Sequence, residues 1–122
     1  MSRKSPSGRR PSSGEARAWL LLLLLEEPAH GWVLLNRMRE FGLETEAGTL
    51  YQTLRGLEAE NCVGSDWQRS VGGPERRIYT ITPKGQMELE QNAKQLAERR
   101  SALNRFLKHH RALTAEPSVR EG

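Results

Sequence analysis

From Pro83 to about Leu113 the chain reads as one helix of about 30 residues, some 45 Å at 1.5 Å per residue. Along it Leu89, Ala93, Leu96, Arg100, Leu103, Leu107 and His110 recur at alternating steps of four and three, the spacing of a coiled-coil seam. No domain built from what remains of 122 residues covers a helix of that length, so a second copy of the chain is the expected cover. Thr82 followed by Pro83 marks where this helix starts, a cap residue and then a proline at the first helical position.

Only 36% of the residues are apolar and 28% are charged, which allows one thin core and argues against a large enzyme fold with a deep pocket. The net charge of +4 is unevenly placed. Residues 1–14 contain Arg3, Lys4, Arg9 and Arg10 and no acid, so the rest of the chain balances 15 bases against 15 acids. Rich in Ser, Pro and Gly, this stretch reads as a disordered basic arm. Cys62 stands alone, which excludes a disulfide framework and a Cys-x-x-Cys metal site and fits a reduced, cytoplasmic setting. The longest apolar run, Ala18 to Leu25, is too short to cross a bilayer. Glu26, Glu27 and Pro28 follow it without a small-x-small cleavage pattern, which argues against a secretory signal, so no membrane is expected.

Glu15 to Glu27 is rich in Leu and Ala and free of Val and Ile, which predicts a helix. Its apolar residues form two stripes, Ala16/Trp19/Leu20/Leu23/Leu24 and Ala18/Leu21/Leu22/Leu25. One stripe faces its own domain, and the second, with Leu21, Leu22 and Leu25, is expected to face a partner. Pro28-Ala29-His30-Gly31 breaks the helix, and a second begins near Gly31 with Leu34, Met38 and Phe41 on its buried side and ends at Gly42. Thr45 is the expected cap of a third helix, in which Leu50, Leu54 and Leu57 share one face. The opposite face holds Gly48, Gln52, Arg55, Gly56 and Ala59, small residues with one amide and one long cation, so the backbone can approach a partner closely. At Val63 the period changes to two, and a second strand runs from Arg76 to Thr82, across the turn cluster Val71-Gly72-Gly73-Pro74-Glu75.

The fold class is therefore mainly α with a small β-hairpin, a winged helix-turn-helix in residues 15–82 with a long C-terminal dimerisation helix in 83–113 and a frayed end in 114–122. Three motifs in this order carry a resemblance. They are Pro28-Ala29-His30-Gly31-Trp32, then Gly48-Thr49-Leu50-Tyr51 leading to Leu54-Arg55 and Leu57-Glu58, then Gly72 to Tyr79 with Ile81-Thr82 and Gly85. Over residues 17–110 the chain resembles the short subfamily of PadR-type transcriptional regulators. That resemblance implies a bacterial winged-helix repressor that dimerises through its first and last helices, with Thr49, Tyr51 and Arg55 at the DNA surface and Arg76 and Arg77 in the wing. Gln52 stands where the family usually has proline, Gly56 where it has a second basic residue, and Trp32 where tyrosine is common. The first two lie on the outward face of the third helix, so the operator sequence is expected to differ from that of relatives.

Arg pairs with guanine and Gln with adenine in the major groove, which makes Arg55 and Gln52 candidates for base or phosphate contact as against plain solvated side chains. Arg69, Arg76 and Arg77 suit phosphates beside the wing, the alternative being edge-strand charges that oppose aggregation. Tyr51 sits at the margin of the buried face, its hydroxyl outward. The expected partners are double-stranded DNA and a second copy of the chain, joined through Leu21, Leu22, Leu25, Leu89, Leu96, Leu103, Phe106 and Leu107 on a near-palindromic operator. The resemblance also implies a flat aromatic effector at the dimer centre, for which Trp19 and Phe106 are the candidates here, with ordinary core packing as the competing role of Trp19. His109 and His110 point in different directions on a helix and form no metal site with Cys62. Neither a nucleophile–base pair nor a phosphate-cradling loop is present, so no catalytic residue and no cofactor are expected. A winged-helix module that docks proteins is the alternative function, and it calls for apolar residues on the outward face of the third helix.

Overall fold

The computed structural model describes residues 8–69, 72–73 and 76–115. Arg3 and Lys4, the turn residues Val71, Pro74 and Glu75, and the polar end from Glu116 lie outside the described residues. Two compact units are present, Met1–Glu90 and Gln91–Gly122. The first contains α1 (Ser13–Glu26), β1 (Ala29–His30), α2 (Gly31–Glu40), α3 (Ala47–Ala59), β2 (Val63–Gln68), β3 (Arg76–Ile81) and the beginning of α4 (Pro83–Thr114).

Helix α1 starts two residues before the expected Glu15, because Ser12 and Glu15 form a capping box. The Ser12 hydroxyl accepts from the Glu15 N–H, and the Glu15 carboxylate accepts from the Ser12 N–H. Of the arm expected to be disordered over residues 1–14, residues 8–14 are ordered, and residues 1–7 lie outside the described residues. The Arg9 N–H donates to the Gly42 carbonyl at 2.9 Å, the Glu44 N–H donates to the Arg9 carbonyl at 2.9 Å, and the Arg9 guanidinium pairs with Glu15. Ala16, Leu20, Leu21, Leu23 and Leu24 are buried, while Leu22 and Leu25 are exposed. Leu21 is thus corrected from the outer stripe to the protomer's own core. Because α1 packs against α2, α3 and β3 together, its buried arc is wider than one stripe.

The helix breaker Pro28–Gly31 does more than end a helix. Ala29 and His30 form a short strand whose partners on β3 are Tyr79 and Ile78, so the expected hairpin is a three-stranded antiparallel sheet in the order β1-β3-β2. In the β2–β3 ladder Val63 faces Ile81, Ser65 faces Tyr79 and Trp67 faces Arg77. Phe41, placed on the buried side of α2 by its spacing, is instead its half-exposed C-cap and lies against Trp19 with ring centroids 4.7 Å apart. Thr45 does not cap α3. Glu46 is the N-cap, without a side-chain bond, and Thr45 is buried in the turn beside Leu43 with its hydroxyl unpartnered.

Leu20, Leu21, Leu34, Met38, Leu50, Leu54, Leu57, Cys62 and Val63 form the centre of the core. Helix α4 begins as expected at Pro83, with the Thr82 hydroxyl accepting from the Gly85 N–H at 3.1 Å and donating to the Asn61 carbonyl at 2.6 Å. Gly85 is buried so close to the Cys62 carbonyl that a Cβ there would overlap it. Leu89 packs partly against this core and is corrected in part from interface to interior. In the second unit α4 continues to Thr114 with every residue but Asn92 exposed, including Leu96, Leu103, Phe106 and Leu107.

Candidate nucleic-acid interface

Burial of Leu50, Leu54 and Leu57 against the core orients α3 and turns its other side outward. Gly48, Thr49, Gln52, Arg55 and Ala59 are exposed, as the helical period requires, and Gly56 is half-buried at the margin. A Cβ at Gly48 or Gly56 would meet nothing within 4 Å in the protein. The face carries no large apolar side chain, which is the feature that a protein-docking version needs. Tyr51 is half-buried at the edge, its ring pressed onto buried Gly31 so closely that no side chain fits at that position. Gly31 in the first motif and Tyr51 in the second therefore lock α2 against α3 and set the angle at which α3 is presented.

The two wing arginines are adjacent in sequence and differ in setting. Strand alternation puts Arg77 on the same side of the sheet as buried Tyr79, whereas Arg76 is on the other side. The Arg77 guanidinium lies 4.8 Å from the ring centroid of Trp67, its cross-strand partner, and 3.8 Å from Glu58 of α3. The other Glu58 oxygen accepts from the Ser65 hydroxyl at 2.7 Å. Arg77 thus fastens the wing to α3, and part of its charge is already answered. Arg76 is exposed, with its guanidinium 6.0 Å from the ring centroid of Trp32 at the start of α2. Arg69 is exposed just past the end of β2. Trp32, Trp67 and Glu58 are the functional neighbours that sequence reasoning did not assign, because Trp67 meets Arg77 through the β2–β3 register, Glu58 meets it from α3, and Trp32 meets Arg76 from α2 just after the β1–β3 pairing. The alternation of Trp67 with Arg69 was the available signal.

Glu60, Cys62 and Glu88 bring their ligand atoms within 4.8 Å of one another, a spacing open to a metal ion. The Arg17 guanidinium already supplies the cation: it donates to Glu88 at 2.5 Å and to Glu60 at 2.7 Å. Its hydrogen bond holds the Glu88 carboxyl below the usual range, and burial pushes the Cys62 thiol up, away from the thiolate a metal requires. The cluster ties α1 and α4 to the end of α3. Trp19, a candidate for a ligand site, packs its ring on Phe41 and the core, while Phe106 is exposed on α4.

Comparison with known proteins agrees with this geometry. Residues 20–91 match the family model of the PadR-like transcriptional regulators. Transcriptional regulator Rv3488 of Mycobacterium tuberculosis is 37% identical over 73 residues, 60% of this chain and 67% of that protein. Among solved structures, a PadR-like transcription factor from Bacteroides fragilis superposes with a TM-score of 0.70 at 29% identity, over 77% of this chain and 91% of the other. A protein described as a potential transcriptional factor, TM0937, gives 0.75 at 31% identity over 89% and 99%. Bacillus subtilis PadR, solved in complex with operator DNA, shares the fold with a TM-score of 0.58 at 20% identity over 62% of this chain and 44% of that one. With the family model spanning more than half its length, the chain belongs to the PadR-like family of transcriptional regulators.

Proposed function

We propose that the protein represses transcription as a cytoplasmic homodimer that binds a near-palindromic DNA operator, α3 of each protomer entering the major groove of one half-site. The observation that carries this reading is the outward face of α3, where Thr49, Gln52 and Arg55 stand on a surface of glycine and alanine. Arg55 and Gln52 have the chemistry to read base edges, Arg69 and Arg76 contact phosphates beside the groove, and Arg77 holds the wing in place. The solved complex of Bacillus subtilis PadR with operator DNA supports the choice of partner. Exposed Leu22 and Leu25 on α1, and Leu96, Leu103, Phe106 and Leu107 on α4, are the apolar surface available to a second copy. Two-fold pairing places the half-sites about 34 Å apart, one turn of DNA.

The test is a fluorescence-anisotropy titration with the upstream region of the protein's own gene and with a scrambled duplex of equal length. Arg55→Ala is expected to cost about 1–3 kcal/mol and to relax preference at one base position. Arg76→Ala weakens binding to all sequences alike. Equal, weak binding of the intact protein to both duplexes would overturn the reading.

A further inference from the structure

The strap that precedes α1 and the turn between α2 and α3 enclose a groove of about 410 Å³, within the size range of small-molecule sites. One wall is built by backbone. The Arg9 N–H donates to the Gly42 carbonyl and the Glu44 N–H to the Arg9 carbonyl, both at 2.9 Å, and Gly8 lies so close to Glu44 that a Cβ would overlap its side chain. Leu43 and Thr45 form the buried floor. Arg10 from the strap, Arg39 from the end of α2, and Glu44 and Glu46 from the turn bring two charges of each sign to the edges, all of them exposed.

The protein leaves three features of this groove unanswered. Among the described residues, neither Arg10 nor Arg39 forms an ion pair with Glu44, Glu46 or any other carboxylate. Thr45 lines the groove and is more than nine-tenths buried, yet its hydroxyl has no hydrogen-bond partner. A hydroxyl in that setting costs stability unless a ligand answers it. Glu46 is the N-cap of α3 and makes no side-chain bond to it, so the groove adjoins the positive end of the helix dipole.

The charge pattern selects the ligand. A phosphate or any other simple anion meets two carboxylates as well as two guanidiniums, and a simple cation meets the reverse. A small molecule that bears both signs a few bonds apart is answered by both pairs. We infer that this groove binds the zwitterionic headgroup of a free α-amino acid. Arg10 and Arg39 donate to its carboxylate, its ammonium donates to Glu44 and Glu46, and the Thr45 hydroxyl gains the partner it lacks. The groove adjoins the amino end of α3, the part of a recognition helix that meets base edges, so an occupied groove opposes operator binding. That effect rests on the DNA-binding reading above, whereas the site itself does not.

Amide NMR shifts of the full-length protein, titrated with glycine, L-alanine, L-leucine and L-phenylalanine, test the site. At least one of these should move the amides of Gly8 to Arg10 and Gly42 to Gly48 saturably. Acetate and methylammonium, which carry the same charges singly, should bind at least about tenfold more weakly. Arg39→Ala and Glu44→Gln, both at exposed positions, should each weaken amino-acid binding by about tenfold or more, the worth of one charged hydrogen bond. Thr45→Val should also weaken it while raising the melting temperature, a combination that a purely structural hydroxyl does not produce. No saturable shift with any of the four, equal binding of acetate, or unchanged binding by Arg39→Ala and Glu44→Gln would each overturn the inference. So would a loss of operator affinity in Arg39→Ala with no amino acid present, which would assign the groove to the DNA backbone. With the upstream duplex, a saturating amino acid should lower the affinity of the intact protein. Failure of that protein to prefer the upstream duplex would instead overturn the DNA-binding reading and leave the NMR result standing.

Discussion

Gly56 lies inside α3, where glycine costs roughly 0.5–1 kcal/mol relative to alanine. A Cβ there meets nothing within 4 Å, so packing within the protomer gives no reason for the glycine. Gly56→Ala should therefore stabilise the isolated protein by about 0.5–1 kcal/mol, which at about 4–8 °C per kcal/mol for a small domain raises Tm by about 2–8 °C. If DNA is what approaches this face, the added methyl pushes α3 out of the groove and pulls the neighbouring Arg55 off its contact. Losing one such contact is worth about 1–3 kcal/mol, or about 5–150-fold in affinity. Gly14→Ala is the control, since that residue is in α1 with nothing within 4 Å of its Cβ. It should stabilise the fold and leave DNA binding untouched. Thermal melts and anisotropy titrations on the same samples decide the matter. A Gly56→Ala protein that melts higher and binds operator as tightly as before would refute the close approach, and one that melts lower would refute the open space.

Gly85→Ala should do the opposite to stability: its Cβ overlaps the Cys62 carbonyl, so α4 must shift, and denaturant melts should show a loss of about 1–3 kcal/mol despite the gain in helix propensity. Leu103→Arg places a charge in the apolar surface of α4, and sedimentation should show a folded monomer, whereas a stable dimer would refute the proposed interface. Glu88 is held ionised below the usual carboxylate range by its bond from Arg17, so its contribution is present at neutral pH and is lost as the pH falls through the folded-state value. Glu88→Gln should accordingly cost about 1–2 kcal/mol at pH 7, and the gap from the parent should close progressively in acid, as measured by urea melts across pH.

The α3 face was legible because three leucines at helical spacing bury one side and so determine the other. Helix α4 was legible from a cap, a proline and an unbroken seam. What escaped depends on partners distant in sequence. A two-residue strand has no period to detect, and β1 exists only because β3 lies beside it. Leu21 and Leu22 are neighbours in one apolar run, and the number of elements packed around α1 decides which of them is covered. The Ser12-x-x-Glu15 signature was present but embedded in a stretch whose composition argues for disorder, and its order is supplied by the α2–α3 turn. Thr45 is an acceptable cap by residue type, yet burial beside Leu43 withholds its hydroxyl from the α3 amides.

A balance of 15 bases and 15 acids outside the first 14 residues looks unpromising for the proposed binding of a polyanion, but the fold sorts those charges. Arg17, Arg37 and Arg77 are paired with Glu60 and Glu88, with Glu26 and Glu27, and with Glu58, so these bases and acids join elements to one another. Exposed Arg55 and Arg76 stand apart from these pairs, on α3 and the wing. Net charge governs only long-range attraction, and the surplus of +4 is confined to residues 1–14 of the sequence. Placement determines which cations can touch DNA. Arg76 and Arg77 show the difference at a separation of one residue, because strand alternation sends one outward and the other onto Trp67 and Glu58. Counting the wing arginines as equal phosphate contacts would therefore overstate the salt dependence expected of the proposed binding, and the excess would be the share of Arg77 already engaged by Glu58.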